Sequence, residues 1–461
     1  MLKTGFGVTC ITPPLGKEVP GLFEKRLAEG IHDHLHARAV VLDDGTTCVA
    51  LVQVDAVFVR GELVAAARKK AHELCGIVPS HCLIGATHTH SGGPVFRGFM
   101  SENDPEYEAY LVEHIGSAIA EAYRLRRPSE LGTGAGEAAG VAFNRRFIMK
   151  DGSHRTHPGK MNPDIDKPAG PEDPTVTVVG FRDPETKEPF GCIVNFACHG
   201  THMNGLLYSA DYPKWIIDTL RGIWGPEFGV VYLNGACGDV TQVNNLSPGP
   251  MEFGREACQR TGRVVGGEAI KVLSLMSFHD NATVDTLTQR VTLPVRVSSK
   301  EAIRQARDYL AGKNRAAKQA VFDDALFKEE VGGKQQKKVE PLDVDAIFAR
   351  GLLQVEAIRK ETPALVREIQ GIRIGDTLFW SAPGELFQSF ARDVRAASPF
   401  AHTCCVELAN GYAGYICVPE ALIKGGYEGR TARSSLLAAD GGDRIVRAAK
   451  AIARKLYVRA K

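Results

Sequence analysis

Apolar positions along this chain follow two periods. Thr47 to Val59 is an apolar run of strand type, and Cys82 to Ala86 is a shorter one. Between them, Gly61 to Cys75 puts Leu63, Val64, Ala67, Ala71 and Leu74 on one helical face, with Gly76 placed to cap the C-terminus. Strand, helix and strand at this spacing predict a βαβ unit, hence a parallel pair with a right-handed crossover. Further strands are predicted over Gly191–Cys198, Gly229–Leu233, Asp376–Ala382 and Thr403–Ala409, and helices over Trp215–Ile223, Leu386–Ala397 and Asp443–Tyr457. The fold class is therefore α/β, a mixed or largely parallel sheet core flanked by helices. The sequence shows no internal repeat.

Two stretches break the pattern. Residues 150–174 are rich in Gly, Pro and charge without periodicity, which predicts a long loop of the lid or binding type, with His154 and His157 solvated. Residues 299–365 begin near Ser298-Ser299-Lys300-Glu301, which resembles a capping box. Ile303, Ala306 and Leu310 follow at helical spacing, and Lys, Arg, Glu and Gln dominate the remainder, predicting a solvated helical insertion. Residues 1–298 and 366–461 are then expected to form one domain around it.

Composition narrows the function classes. With 461 residues, 44% hydrophobic and 24% charged, the chain reads as globular. A net charge of +2 supplies no global field for nucleic acid. No stretch approaches the ~20 apolar residues of a membrane helix, so no integral membrane segment is expected. The 11 Cys are odd in number and contain no CxxC pair. The first residues carry no apolar signal region, so reduced thiols and a cytoplasmic location are expected. Oligomeric state is left open.

The candidate chemistry follows the strands. His88-Thr89-His90 comes after 82–86, and His199-Gly200-Thr201-His202 after 191–198. Asn234 to Thr241 follows 229–233, Pro383-Gly384-Glu385 follows 376–382, and Asn410 to Tyr415 follows 403–409. Gly-rich polar loops at the carboxyl ends of strands are where α/β folds place their sites. Two imidazoles and a carboxylate are the usual protein ligands of a hydrolytic zinc. His32, His34 and His36 would share one face of a strand, which leaves a second metal open. His202 is open as a neighbour of the metal ligands. Asp33, Asp55 and Asp211 could orient ligand imidazoles, Asp55 being favoured because a carboxylate in an apolar strand needs a partner. Nothing argues for a reactive thiolate at Cys198 or Cys237.

This pattern resembles the neutral ceramidase family, zinc-dependent amidases that split N-acylsphingosines. The resemblance runs through Ile11-Thr12-Pro13-Pro14, Gly30-Ile31-His32-Asp33, Thr87-His88-Thr89-His90-Ser91-Gly92, Asn195 to Thr201, Ser209-Ala210-Asp211, Pro383-Gly384-Glu385, Tyr412 to Tyr415 and Gly426-Tyr427-Glu428-Gly429. It implies Zn²⁺ held by His88, His199, Glu385 and Tyr415. It also implies His90 beside the metal water as proton shuttle, with Arg145 and Tyr427 facing the oxyanion. The family's Gly-Asp-Val-Ser motif, whose Ser has been assigned as nucleophile, reads Gly238-Asp239-Val240-Thr241 here. Thr241 is β-branched, so attack by metal-activated water is expected, with Thr241 positioning substrate or that water.

The family's ceramidases are typically secreted and carry a C-terminal immunoglobulin-like domain, whereas this chain ends in the basic stretch Asp443–Tyr457. The expected function is therefore a zinc-dependent hydrolase of a ceramide-like or other small amide. Its alternatives are a zinc lactonase or esterase, an aminopeptidase, and a catalytically inactive ceramidase-fold binding protein.

Overall fold

The predicted βαβ unit is present in the computed structural model, which describes residues 1–98, 101–280, 282–313 and 343–459. Cys48–Val54 and Cys82–Ala86 pair in parallel across the helix Gly61–Cys75. Gly76 ends that helix in the left-handed region at φ 77°, its amide donating to the His72 carbonyl, a conformation that favours glycine.

The unit belongs to a larger module, β1 (Lys3–Cys10), β2 (His36–Asp43), β3 (Cys48–Val54), α1 (Gly61–Cys75), β4 (Cys82–Ala86) and α2 (Pro105–Arg124). The same order recurs as β5 (Glu130–Glu137), β6 (Thr175–Arg182), β7 (Pro189–Phe196), α3 (Tyr212–Trp224), β8 (Gly229–Asn234) and α4 (Gly254–Leu275). It recurs again as β9 (Val284–Pro294), β10 (Ala364–Ile374), β11 (Thr377–Ala382), α5 (Gln388–Ala397), β12 (His402–Glu407) and α6 (Gly441–Val458). Each module builds its own sheet, with the fourth strand beside the third, the third beside the second and the second beside the first. The first three strands are antiparallel and the last pair is parallel. Of the two expected sheet types, the mixed one is therefore found. Short turns join the second and third strands of each module, long connections join the first and second, and a helical crossover permits the parallel neighbour.

Strand residues alternate between two buried faces. In β3, Ala50, Val52 and Val54 pack with α1 and α2, while Val49 and Leu51 point the other way. The second faces of all three sheets meet in one cluster that includes Leu51, Leu83, Ile193, Val231, Phe379 and Val406. Burial on both faces is why these strands read as continuous apolar runs. It also brings the carboxyl ends of β3/β4, β7/β8 and β11/β12 toward one another.

Two expectations change. Residues 150–174 are not one structureless loop, because His154–Thr156 and Ile165–Pro168 pair on either side of Arg146–Met149. His154 and His157 are buried there rather than solvated, and His157 Nδ1 meets Asn245 Oδ1 at 3.1 Å. Strands this short are stabilised by tertiary pairing and leave no periodic signal. Within 299–365, Lys300–Leu310 and Val344–Glu361 are helices, with Ser299 Oγ accepting from the Ala302 amide as N-cap; residues 314–342 lie outside the described residues. The second helix is not simply solvated, since Phe348 packs with Phe23 and Tyr427. Among the described residues, no helix is long and apolar enough to cross a membrane. All eleven cysteines are free.

Candidate metal centre

Loops from all three modules supply the site. His88 follows β4 with its backbone at φ 65°, in the left-handed region where a non-glycine residue is strained. His199 follows β7, and Thr89 and Gly200 form a parallel bridge that lays the two histidine loops side by side. A Cβ on Gly200 would come within 2.6 Å of the His88 carbonyl, so this approach requires glycine. Glu385 follows β11, in a short parallel pair with Tyr415–Ile416.

Both imidazoles are oriented by main-chain acceptors. His88 Nδ1 donates to the Val57 carbonyl at 2.8 Å and His199 Nδ1 to the Cys237 carbonyl at 2.7 Å. A carbonyl can only accept, so each Nδ1 carries a proton, and in the neutral ring that a metal requires each Nε2 presents a lone pair. Both Nε2 atoms face one carboxylate oxygen, Glu385 Oε2, at 3.3 Å and 3.4 Å. That oxygen is buried without a hydrogen-bond donor. His90 Nε2 lies 3.4 Å from His88 Nε2. His88 and His199, both buried, and the half-buried His90 form a group that could hold a metal ion. Lone pairs converging on an orphan carboxylate oxygen repel unless a cation lies among them. Four-coordinate zinc with donors 2.0–2.1 Å away has donor–donor edges of about 3.3–3.4 Å, which these spacings match. Nitrogen and oxygen donors of this type suit zinc.

Burial, then the Arg145 guanidinium, pushes the His199 imidazole down to about 3. Burial, then His88 and His199, holds His90 well below its usual value. Tyr415 is driven well up by burial and by Glu385. A bound cation would oppose that rise for the phenol.

Arg145 borders the group. Its Nη1 lies 3.3 Å from His199 Nε2, and Nη2 donates to the Gly238 carbonyl at 2.8 Å and to the Tyr415 hydroxyl at 3.1 Å. Nε donates to Glu428 Oε1 at 2.7 Å. Tyr427 stacks edge-on against Tyr415, ring centroids 5.6 Å apart. Thr241 is buried nearby in a two-residue pair with Phe143–Asn144, its hydroxyl accepting from the Val243 amide. It makes no hydrogen bond with the His–Glu–Tyr–Arg group.

Sequence reasoning placed other carboxylates at the imidazoles, and the structure corrects this. Asp55 accepts from the His36 amide and from Gln53 Nε2. Asp211 binds His202 Nδ1, whose Nε2 meets Thr261, away from the metal centre. Asp33 binds His32, Ser209 and the Ala210 amide. His32 and His34 precede β2 rather than sharing a strand with His36, and His34 is exposed. Among the described residues, the His32–His36 segment forms no cluster able to hold a metal.

Three contributors had no reading. Tyr412 donates to Glu385 Oε1 at 2.9 Å and stacks on Phe58, next to the Val57 carbonyl that orients His88. Glu428 is fully buried and takes Arg145, Arg146 Nη1 at 2.5 Å and the Thr156 hydroxyl at 2.7 Å. Burial pushes its carboxyl up, but Arg146 and Arg145 outweigh that and hold it at about 2. Glu407 accepts from the Cys237 and Leu386 amides, joining the His199 anchor to the Glu385 segment. Burial pushes Glu407 up to about 8. The signal for Glu407 was a carboxylate in an otherwise apolar run, and for Glu428 its place in the Gly426-Tyr427-Glu428-Gly429 motif of the resemblance.

Fold and site together define an α/β protein with a buried histidine–carboxylate centre at the meeting of three mixed sheets. The family-level resemblance read from the motifs is borne out, since residues 6–211 match the family described as neutral/alkaline non-lysosomal ceramidase, N-terminal. Over 220 residues the chain is 29% identical to a neutral ceramidase of Mycobacterium tuberculosis (strain ATCC 25618 / H37Rv), a stretch covering 44% of this chain and 33% of that protein. The chain thus matches about a third of the length of that curated relative. The crystal structure of neutral ceramidase from Pseudomonas aeruginosa superposes with a TM-score of 0.72 at 21% identity, covering 99% of this chain and 75% of that one. A structure described as ceramidase complexed with C2 gives 0.70 at 21% identity over the same shares. These likenesses establish the mixed α/β fold.

Proposed function

We propose that this chain is a zinc-dependent hydrolase, an amidase that cleaves the N-acyl bond of a ceramide-like or other small amide. One observation carries the reading: the orphan oxygen of Glu385 faces the Nε2 lone pairs of His88 and His199 at ligand spacing. His88, His199 and Glu385 would hold the ion, with Tyr415 as fourth ligand. When bound, Zn²⁺ lowers the pKa of a water toward 7 and polarises a carbonyl.

The chain's own groups do the rest. His90 Nε2, turned toward the cluster, takes the proton of the attacking water and passes it to the amine nitrogen as the C–N bond breaks. Arg145 spends three of its hydrogens on Gly238, Tyr415 and Glu428, and keeps the two on Nη1, beside His199, for the oxyanion. Tyr427, edge-on to Tyr415, supplies a second donor, and removing one such donor costs roughly 10²–10³ in turnover. Thr241, outside this hydrogen-bonded group, positions substrate. The eleven free thiols favour work in a reducing compartment such as the cytoplasm.

The test is a panel of N-acyl amines, N-acyl amino acids, matching esters and lactones, and aminoacyl anilides. N-acyl amines are expected to be turned over fastest. Preference for the matching esters or lactones would indicate a lactonase or esterase, a demand for a free α-amine an aminopeptidase, and silence across the panel a binder. On the best substrate, Thr241→Val should retain most turnover while His90→Ala loses roughly 10²-fold or more. A Thr241→Val enzyme as inactive as the zinc-ligand variants, still holding zinc, would make Thr241 the nucleophile.

The segments 1–298 and 366–461 act in this reading as one domain, supported by the central cluster shared among all three sheets. Limited proteolysis near residue 330 should leave the two pieces associated, with a single melting transition. Two pieces that separate and melt independently would refute it.

A further inference from the structure

Apart from the metal centre, a cleft of about 600 Å³ lies between the first and third modules. His88, His90, His199, Glu385 and Tyr415 do not line it, but Tyr412 and Phe58 do. Its aromatic side is Phe58, stacked on Tyr412 with centroids 3.9 Å apart, and Phe96 edge-on to Phe58 at 5.3 Å. Leu365 and Val366 extend that apolar wall.

The polar side is made of arginines. Arg60, Arg68 and Arg97 are each paired, with Glu108, Glu368 and Glu102. Arg290, Arg367 and Arg433 also line the cleft, and none forms an ion pair with a described carboxylate. Arg367 reaches only the Tyr412 and Val366 carbonyls. Arg290 lies opposite Glu368 in the β9–β10 ladder, but that carboxylate is turned to Arg68 Nη2 at 2.8 Å and to Asn410 Nδ2 at 3.0 Å. The second acidic lining residue, Glu62, faces Arg60 at 3.6 Å. Three guanidiniums without an ion pair, Arg367 alone feeling the more distant Glu62, therefore share one cleft in a chain whose net charge is only +2.

We propose that this cleft is a binding site for an organic anion, a carboxylate or phosphate ester carrying a flat apolar group. Guanidinium groups match both oxyanions bidentately. The aromatic wall takes the apolar body, and the volume suits a ligand of small-molecule size. The site does not depend on what the metal centre catalyses. A ligand seated there would touch Tyr412 and Phe58, the residues that brace Glu385 and adjoin the His88 anchor.

Calorimetric titration of the full chain with 4-phenylbutyrate, phenyl phosphate and 4-phenylbutan-1-ol tests this. At least one anion should bind tenfold or more tightly than the alcohol, and the preferred anion names the ligand's charged group. Arg290 and Arg433 are exposed and outside the metal centre. Arg290→Gln/Arg433→Gln should therefore weaken anion binding at least tenfold while zinc content and melting temperature stay unchanged. If the double variant melts early, Arg433→Gln alone should still give a severalfold loss. Equal binding of the alcohol, no binding of either anion, or anion binding untouched by both variants would overturn the proposal. The last result would move the anion to the metal centre.

Discussion

His88→Ala should leave the purified protein without zinc, where the wild type carries about one ion per chain. The Nε2 removed is one of two imidazole nitrogens facing Glu385 Oε2, at 3.3 Å. Without it the site keeps one anchored imidazole, a carboxylate and the Tyr415 phenol, too weak a set for tight closure around a tetrahedral ion. Turnover of the best amide should fall by more than the roughly 10²–10³ lost with a single oxyanion donor. A second readout does not need activity. Zinc added at about 100 times its Kd should stabilise the wild type by roughly 2.7 kcal/mol, and the variant should show almost none of that shift. The substituted alanine inherits the left-handed backbone of His88 at φ 65°, so His88→Gly separates lost metal from backbone strain. Unchanged zinc content in both variants would remove the metal centre as assigned.

Glu428→Gln should be the most destabilising single substitution at the site. It leaves Arg145 and Arg146 buried beside a neutral amide, and breaking a buried pair typically costs about 3–5 kcal/mol. The effect depends on pH in a defined direction. The folded carboxyl sits at about 2 and the ordinary value is 4.5. Its stabilisation, roughly 3 kcal/mol, is therefore present above the unfolded value and lost as pH falls from about 4.5 toward 2. Wild-type melting temperature should drop steeply over that window, and Glu428→Gln should lack this component. Equal melting temperatures for the two proteins at pH 7 would refute the role given to Glu428. Arg145 loses its Nε partner in the variant, so turnover should fall as well.

Much of the fold was legible because burial acts locally. Gly61–Cys75 is a helix over the expected residues because its apolar face has helical period and Gly76 can turn left-handed. The strand ends differ by a residue or two, as at His402–Glu407, since the apolar run continues into the loop. The expectation of a loop over 150–174 failed because three- and four-residue strands have no period to read. Phe348 was hidden in a charged helix, where one apolar residue gains meaning only from Phe23 and Tyr427 beside it.

At the site, the sequence by itself determined which side chains can do chemistry and that they stand in Gly-rich loops after strands. Residue type and position offered His88, His90, His199, His202 and Glu385 as candidates, and the family resemblance singled out His88, His199 and Glu385 among them. It also determined that central strands such as Cys82–Ala86 and Gly229–Asn234 are apolar on both faces. Only the tertiary structure decided that three modules of one topology pack their sheets face to face, because burial constrains polarity while many side chains satisfy it. The packing, in turn, brings loops nearly 300 residues apart within 3.4 Å. It also decided what orients the imidazoles. The anchors are the Val57 and Cys237 carbonyls, not the aspartates whose side chains drew attention. Every residue carries a carbonyl, so that choice is written in the path of the backbone and in no residue's identity.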